Sequence, residues 1–262
     1  MTQNTKVQHP LEIAIRKAND AGRPALIPFV TAGFPAPEKF WNVILELDAH
    51  GADIIEIGVP FSDPVADGPV VEEASLRALA DGMTLAKIMQ LLREHKGEIQ
   101  AKIVLMGYLN PFLQYGLTAF ATDAADAGVH GVIVPDLPFE ENQAFHSALK
   151  AHDIALIPLV GPNTTAERMQ LYADQSQGYV YVVSIMGTTG ARSALAPQVE
   201  STLERTRSIF DIPLALGFGL QSPTQLEDIA PQVRPHAVVF GSALLQHIDA
   251  GNSPATFMQR WN

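Results

Sequence analysis

The sequence predicts an α/β fold, a (β/α)8 TIM barrel with an additional N-terminal helix. Eight apolar, strand-like runs alternate with helical stretches along the 262 residues, which is the order of units in such a barrel. Most of the runs are nearly continuously apolar, as parallel strands are when helices cover them. Glycine, proline and polar residues gather where the runs end, and barrels carry their active sites at that position.

The predicted elements follow one another without a linker or a low-complexity tract. An amphipathic segment over residues 10–21 precedes the first strand. The eight strand-like runs are ALIPFVTAG from Ala25, ADIIEIGVP from Ala52, AKIVLMGY from Ala101, GVIVPD from Gly131, IALIPLV from Ile154, YVYVVSI from Tyr179, PLALGFG from Pro213 and HAVVFGSA from His236. The predicted helices between them cover residues 38–50, 85–95, 117–127, 140–152, 166–175, 199–208 and 223–229.

We expect residues 1–262 to form a single domain, because barrels of this kind commonly need about 250 residues. A doubly wound sheet is the alternative architecture. It usually has fewer strands, and a glycine-rich GxGxxG turn is expected after its first strand, where this chain has TAGFPAP.

Composition excludes several classes of protein. The formal net charge is −11, which disfavours nucleic-acid binding because no basic surface attracts phosphates. No apolar run approaches the roughly 20 residues of a membrane span, and the N-terminus lacks the pattern of a signal peptide. Cysteine is absent, so disulfides and thiolate metal sites are excluded. We expect a cytoplasmic protein that binds neither nucleic acid nor membrane.

Two acidic residues in the segment ADIIEIGVPFSDPVADGP suggest proton-transfer chemistry. Glu56 interrupts the second apolar run, and Asp67 follows eleven residues later in a loop rich in Pro, Gly and Asp. Burying an ionised carboxylate costs several kcal/mol, so such a group has a perturbed pKa. One acid in a strand and one in the following loop are typical of a general acid/base pair. A structural carboxylate that accepts backbone hydrogen bonds is the alternative.

Glycines near the C-terminus predict a phosphate site without basic residues. GTTG, GFG and GSA follow the sixth, seventh and eighth runs, and exposed backbone N–H groups at such loops bind phosphate in many barrels. Gly241 and Ser242 open the last helix, so Ser242 is predicted to be both its N-cap and a hydroxyl ligand. Ordinary turn glycines are the alternative.

The positions of lysine and histidine exclude two common mechanisms of carbon–carbon cleavage. A Schiff-base aldolase needs a lysine at a strand's C-terminal end, whereas Lys102 opens the third run at the opposite face. The eight histidines show no ligand spacing, so we expect no metal site. The electron sink must then belong to the substrate, and a protonated indole ring can serve. A phosphosugar isomerase remains a chemical alternative.

Several motifs together resemble the tryptophan synthase alpha subunit. They are FVTAGFP, EIGVPFSDPVADGP, LMGYLNP, VIVPDLP, SIMGTTGAR, GFG and GSA. The resemblance covers essentially the whole chain, and EIGVPFSDPVADGP is its most specific motif. It implies a carbon–carbon lyase of tryptophan biosynthesis that splits indole-3-glycerol phosphate into indole and glyceraldehyde 3-phosphate.

The resemblance also implies roles for individual residues. Glu56 would protonate carbon 3 of the indole and then accept the proton of the side-chain hydroxyl. Asp67 would contact the ring N–H, Thr189 would orient Asp67, and Tyr181 would line the site, although Tyr181 reads equally well as a core aromatic. The implied phosphate ligands are Gly190, Gly219, Gly241 and Ser242. The implied indole pocket, which periodicity alone would assign to the core, consists of Phe29, Met106, Leu159, Phe218 and Val239.

A partner subunit is implied in the same way. Asp63, Asp136 and Pro138 would face a tryptophan synthase beta subunit in an α2β2 tetramer, and pyridoxal phosphate would be bound by that partner rather than by this chain. Glu72 stands where the family often has glutamine. A free-standing lyase and a non-catalytic regulatory subunit are the alternatives, although the latter would be expected to lack Glu56 or Asp67.

Overall fold

The computed structural model describes residues 8–183, 198–217, 219–227 and 229–261. Its centre is a parallel sheet with the strand order β5-β4-β3-β2-β1-β9-β8-β7-β6. The strands are β1 (Ala25–Thr31), β2 (Ile54–Gly58), β3 (Lys102–Met106), β4 (Val129–Ile133), β5 (Ala155–Leu156), β6 (Leu159–Val160), β7 (Val180–Val183), β8 (Leu214–Gly217) and β9 (Ala237–Phe240).

The strands β5 and β6 are the two halves of one predicted run. β5 pairs with β4, and β6 pairs with β7. Between the halves, the Ile157 N–H donates to the Val132 carbonyl at 2.9 Å and the Pro158 carbonyl accepts from the Tyr181 N–H at 3.0 Å. Because proline lacks an N–H, the ladder is interrupted at Pro158. The split run joins both ends of the sheet, so the eight predicted strands close into a barrel.

Helices cover the outside of this barrel. They are α1 (Pro10–Asp20), α2 (Pro37–Ala49), α3 (Pro69–Ala80), α4 (Leu85–Glu94), α5 (Leu109–Tyr115), α6 (Leu117–Asp126), α7 (Gln143–Lys150), α8 (Ala166–Gln175), α9 (Gln198–Ile209), α10 (Ser242–Asp249) and α11 (Pro254–Met258). Every residue of β1, β2, β8 and β9 is buried, which explains why their sequences are apolar apart from Thr31 and Glu56. None of the helices in these described ranges is long and apolar enough to cross a membrane.

The additional N-terminal helix closes one end of the barrel. The side chain of Leu11 in α1 is fully buried. It lies against Gly131 and Gly178, where an added Cβ would be 2.9 and 3.2 Å from the Leu11 Cδ1 atom. Gly131 lies on β4 and Gly178 lies just before β7, so α1 covers the N-terminal end of the barrel. The C-terminal end is left for the site.

One predicted helix is wrong. Residues 223–229 were expected to be helical, but the structure has a single 3₁₀ turn at Pro223–Leu226 and another at Pro231–Val233. Ser222 and Gln225 form a capping box that starts the first turn. Pro231 then forces Ala230 into an extended conformation with ψ of 131°, because the residue before proline avoids the helical region.

Candidate active site

The C-terminal ends of the strands surround a cavity of about 220 Å³. Most of the described residues that the sequence assigned to the site line this cavity. They are Phe29, Glu56, Asp67, Met106, Tyr181, Gly219, Val239, Gly241 and Ser242. Residues from β1, β2, β3, β7 and β9 therefore converge, as the position of their side chains at strand ends predicts.

Glu56 is the most deeply buried acid of the cavity. It lies on β2 between Phe29 of β1 and Val104 of β3, with 1% of its surface exposed. Its Oε2 atom has no hydrogen-bond partner among the described residues. Burial, followed by repulsion from Asp67, raises the pKa of Glu56 to about 8. Glu56 is therefore mostly protonated at neutral pH and able to donate a proton.

Asp67 enters the cavity from the loop after β2. Burial raises its pKa to about 6, and a hydrogen bond from Tyr108 opposes this rise. The Tyr108 hydroxyl donates to the Asp67 Oδ2 atom at 2.9 Å and accepts from the Ala66 N–H at 2.9 Å. At neutral pH Asp67 is therefore mainly ionised, while Glu56 beside it carries a proton. Two carboxyl groups in different protonation states are suited to different roles.

Tyr108 is a site residue that the sequence did not assign. It follows β3 and stacks on Phe61, with the ring centroids 5.2 Å apart. The side chain of Asp136 supports this segment, because its Oδ1 atom accepts from the Leu109 N–H at 2.8 Å at the start of α5. The position of tyrosine at a strand end was a signal for the site, but its partner depends on side-chain geometry.

Glycines on neighbouring strands leave room for the aromatic walls of the cavity. A Cβ atom on Gly58 would lie 2.6 Å from the Phe29 Cζ atom, and one on Gly241 would lie 2.9 Å from its Cδ1 atom. A Cβ atom on Gly217 would lie 2.0 Å from the Tyr181 hydroxyl oxygen. Because real atoms do not approach so closely, these glycines determine where both rings lie. The result is a slot with apolar walls next to two acids.

Gly219, Gly241 and Ser242, which follow β8 and β9, line the part of the cavity that we call its glycine end. Gly219 has a φ of 91°, a conformation that favours glycine. Gly241 is the N-cap of α10, and Ser242 is its first helical residue. The expectation that Ser242 is the N-cap is therefore wrong, because Gly241 adopts the non-helical conformation. The N-terminus of α10 still lies at the glycine end, and the unpaired N–H groups of a helix N-terminus favour an anion.

The remaining predicted residues lie elsewhere. Thr189, Gly190 and Phe218 lie outside the described residues. Leu159 does not line this cavity but a separate one of about 440 Å³, together with Asp136 and Pro138. Asp63, Asp136 and Pro138 are exposed on the loops after β2 and β4, at the same end of the barrel as the cavity. Glu72 is exposed on α3. Within the described ranges, no three His, Asp or Glu side chains cluster as metal ligands.

A sequence model of the family described as "Tryptophan synthase alpha chain" matches residues 15–261. The chain belongs to the tryptophan synthase alpha chain family. It is 64% identical over 251 residues to the tryptophan synthase alpha chain of Desulfovibrio desulfuricans, covering 96% of this chain and 98% of that relative. It is 59% identical over 251 residues to the alpha chain of Nitratidesulfovibrio vulgaris, covering 96% and 97%.

A solved structure agrees with this assignment. The structure of Mycobacterium tuberculosis tryptophan synthase superimposes with a TM-score of 0.87 at 32% identity, covering 97% of this chain and 98% of the other. The predicted resemblance and the predicted barrel are thus confirmed. Tryptophan synthase alpha chains are lyases of tryptophan biosynthesis and are the alpha subunit beside a beta subunit, so this chain is a lyase of that pathway.

Proposed function

We propose that this chain cleaves indole-3-glycerol phosphate into indole and glyceraldehyde 3-phosphate in the cavity at the C-terminal end of the barrel. The observation that supports this most strongly is the pair formed by Glu56 and Asp67. Two carboxyl groups with pKa values raised to about 8 and about 6 face one apolar slot that ends at glycine backbone. The slot fits a flat aromatic ring, and its glycine end fits a phosphate.

Proton transfer by Glu56 starts the reaction. Its protonated carboxyl group donates to carbon 3 of the indole ring, which converts the ring to an iminium-like cation that accepts electrons. Asp67, held in place by Tyr108, accepts a hydrogen bond from the ring N–H and stabilises the positive charge that develops there. The wall formed by Phe29 and Tyr181 keeps the ring between the two acids.

Bond cleavage then returns the proton to Glu56. The hydroxyl on the carbon attached to the ring gives its proton to the Glu56 carboxylate, and its oxygen becomes the aldehyde oxygen of glyceraldehyde 3-phosphate. The electrons of the breaking carbon–carbon bond move into the ring and restore neutral indole. Glu56 is protonated again at the end, so one residue serves as acid and base.

The glycine end of the cavity would hold the phosphate. We assign this role to the backbone of Gly219 and Gly241 and to the hydroxyl of Ser242, with Gly190 as a further ligand. The dipole of α10 supplies positive potential in a chain of net charge −11. Anchoring the phosphate places carbon 3 of the ring beside Glu56, so remote binding orients the reacting atoms.

The exposed loops beside the cavity would contact the beta subunit. Asp63, Asp136 and Pro138 lie on these loops, so indole released from the cavity emerges at this face. We assign an α2β2 tetramer in which the beta subunit holds pyridoxal phosphate, with this chain as one cytoplasmic domain that needs no cofactor of its own. Asp136 also supports α5, so its side chain links this face to Tyr108.

Release of indole by the purified chain tests this function. Indole-3-glycerol phosphate is supplied to the chain alone and with a tryptophan synthase beta subunit, and free indole is measured. We expect release in both cases, faster with the partner, and no release by Glu56→Gln, which keeps the shape but not the acid. Lack of release by the wild-type chain with its partner would refute the function.

A further inference from the structure

A second groove adjoins the glycine end of the active-site cavity. It has a volume of about 650 Å³. Gln221, Ala243 and Gln246 line both this groove and the cavity. Gln246 lies one helical turn after Ser242 on α10, so the groove continues from the proposed phosphate site along the surface of that helix. Arg260 lies at this groove as well, and we name it the Arg260 groove.

Arg260 is held in place by two rings. Its guanidinium carbon lies 5.1 Å from the centroid of the Phe257 ring, a favourable arrangement for a cation. Its Nη2 atom lies 3.4 Å from the His247 Nδ1 atom. The His247 Nε2 atom lies 3.1 Å from the Ser253 carbonyl oxygen, and because a carbonyl only accepts, Nε2 carries the hydrogen. Nδ1 then accepts from Arg260, whose other N–H groups remain available.

No acidic side chain in the described part of the chain forms an ion pair with Arg260. Among the described residues, the ion pairs of arginine involve Arg16, Arg23, Arg77, Arg93 and Arg168, and Arg260 takes part in none of them. The described residues that line the groove include no aspartate or glutamate. In a chain with 28 acidic and 17 basic residues, this groove is a local exception, because it presents an exposed cation beside a site suited to an anion.

We propose that the Arg260 groove is an encounter site for phosphate monoesters. Arg260 attracts the phosphate dianion of the incoming substrate and guides it along α10 to Gly241 and Ser242. The proposal rests on the proposed substrate being a phosphate ester. Guanidinium groups suit phosphate because their N–H donors match its oxygens. A cation beside a site raises the association rate, and salt weakens this effect over about 10 Å at 0.1 M ionic strength.

Association kinetics test the encounter site. Binding of indole-3-glycerol phosphate is followed by stopped-flow fluorescence in the Glu56→Gln background, in which chemistry is blocked, between about 20 and 500 mM ionic strength. Three further substitutions are compared in that background. Arg260→Gln removes the cation, Arg260→Lys keeps it, and Lys150→Gln removes a charge at the end of α7, on the opposite face of the barrel.

We expect Arg260→Gln to slow association about three- to tenfold at low ionic strength, with a smaller effect at high ionic strength and an unchanged dissociation rate. Arg260→Lys should retain most of the rate, and Lys150→Gln should match the background. Equal association rates for Arg260→Gln and the background would overturn the proposal. A loss independent of salt, or faster dissociation, would also overturn it, because either indicates damage to the site.

Indole release by the unmodified chain separates this inference from the proposed function. If the wild-type chain releases indole and Arg260→Gln associates normally, the encounter site is refuted and the function stands. If no indole is released but Arg260→Gln still slows association of the phosphate ester, the encounter site stands and the function is refuted. Lack of indole release by the wild-type chain, together with lack of binding by the background variant, would refute both.

Discussion

Replacing Glu56 by glutamine should make the protein less active but more stable as the pH rises. Burial raises the pKa of Glu56 from 4.5 to about 8, so between these values the folded state holds a proton that the unfolded state releases. A group with a raised pKa stabilises the fold fully below its unfolded value, and this stability is lost as the pH rises through its folded value. The wild-type chain therefore loses stability across this window, whereas glutamine does not titrate.

The size of the stability difference follows from how steeply the free energy of unfolding changes with pH. One proton corresponds to about 1.4 kcal/mol per pH unit, so the stability difference between Glu56→Gln and wild type should grow by about 3 kcal/mol from pH 5 to pH 7. For a chain of this size, 1 kcal/mol shifts the melting temperature by about 2–4 °C. Calorimetry at both pH values should therefore show the variant gaining about 6–12 °C relative to wild type.

A matched variant separates this effect from a general change of charge. Glu72 is an exposed glutamate on α3, and Glu72→Gln removes the same formal charge. We expect its melting temperature to stay parallel to that of wild type between pH 5 and pH 7. Parallel curves for Glu56→Gln and wild type would refute the conclusion that Glu56 is protonated in the fold at neutral pH.

Three further predictions concern the site. The pH profile of kcat/KM should be bell-shaped, rising near pH 6 as Asp67 ionises and falling near pH 8 as Glu56 loses its proton. Both apparent pKa values belong to the coupled pair of acids. A flat profile from pH 5 to pH 9 would contradict the acid/base roles. Tyr108→Phe should lower kcat/KM about tenfold at pH 7 and move the acid limb upward, because Asp67 loses a hydrogen bond that lowers its pKa; an unmoved limb would contradict this. Gly217→Ala should displace the Tyr181 ring, which should destabilise the fold by about 1–3 kcal/mol in urea titrations and raise KM. Normal KM and stability would refute the role given to this glycine.

Much of the fold could be predicted because burial determines the strand sequences. Strands that are covered on both faces need apolar residues throughout, so all eight runs stand out in the sequence. The interruption at Pro158 was not predicted, since a missing N–H matters only in relation to the neighbouring strands. The predicted helix at residues 223–229 was wrong: the structure has only a 3₁₀ turn at Pro223–Leu226, and Pro231 keeps Ala230 from continuing a helix.

Site residues could be predicted from the sequence where they lie at the C-terminal ends of strands. Glu56 and Gly241 lie at the same end of the barrel because parallel strands place their C-terminal ends together. Tyr108 and Arg260 escaped prediction for a different reason. The hydrogen bond from Tyr108 to Asp67 depends on how a loop folds over the cavity. Arg260 lies in the turn directly after α11, a helix that the sequence did not predict.

The most direct test of the central claim is a single-turnover measurement on the paired acids. Enzyme in excess over indole-3-glycerol phosphate is mixed by rapid quench for the wild-type chain, Glu56→Gln and Asp67→Asn, with the beta subunit present, and both bound substrate and free indole are measured. We expect all three proteins to bind substrate, but only the wild-type chain to release indole at a substantial rate. Indole release by Glu56→Gln at a rate near that of wild type would contradict the assignment of proton transfer to Glu56.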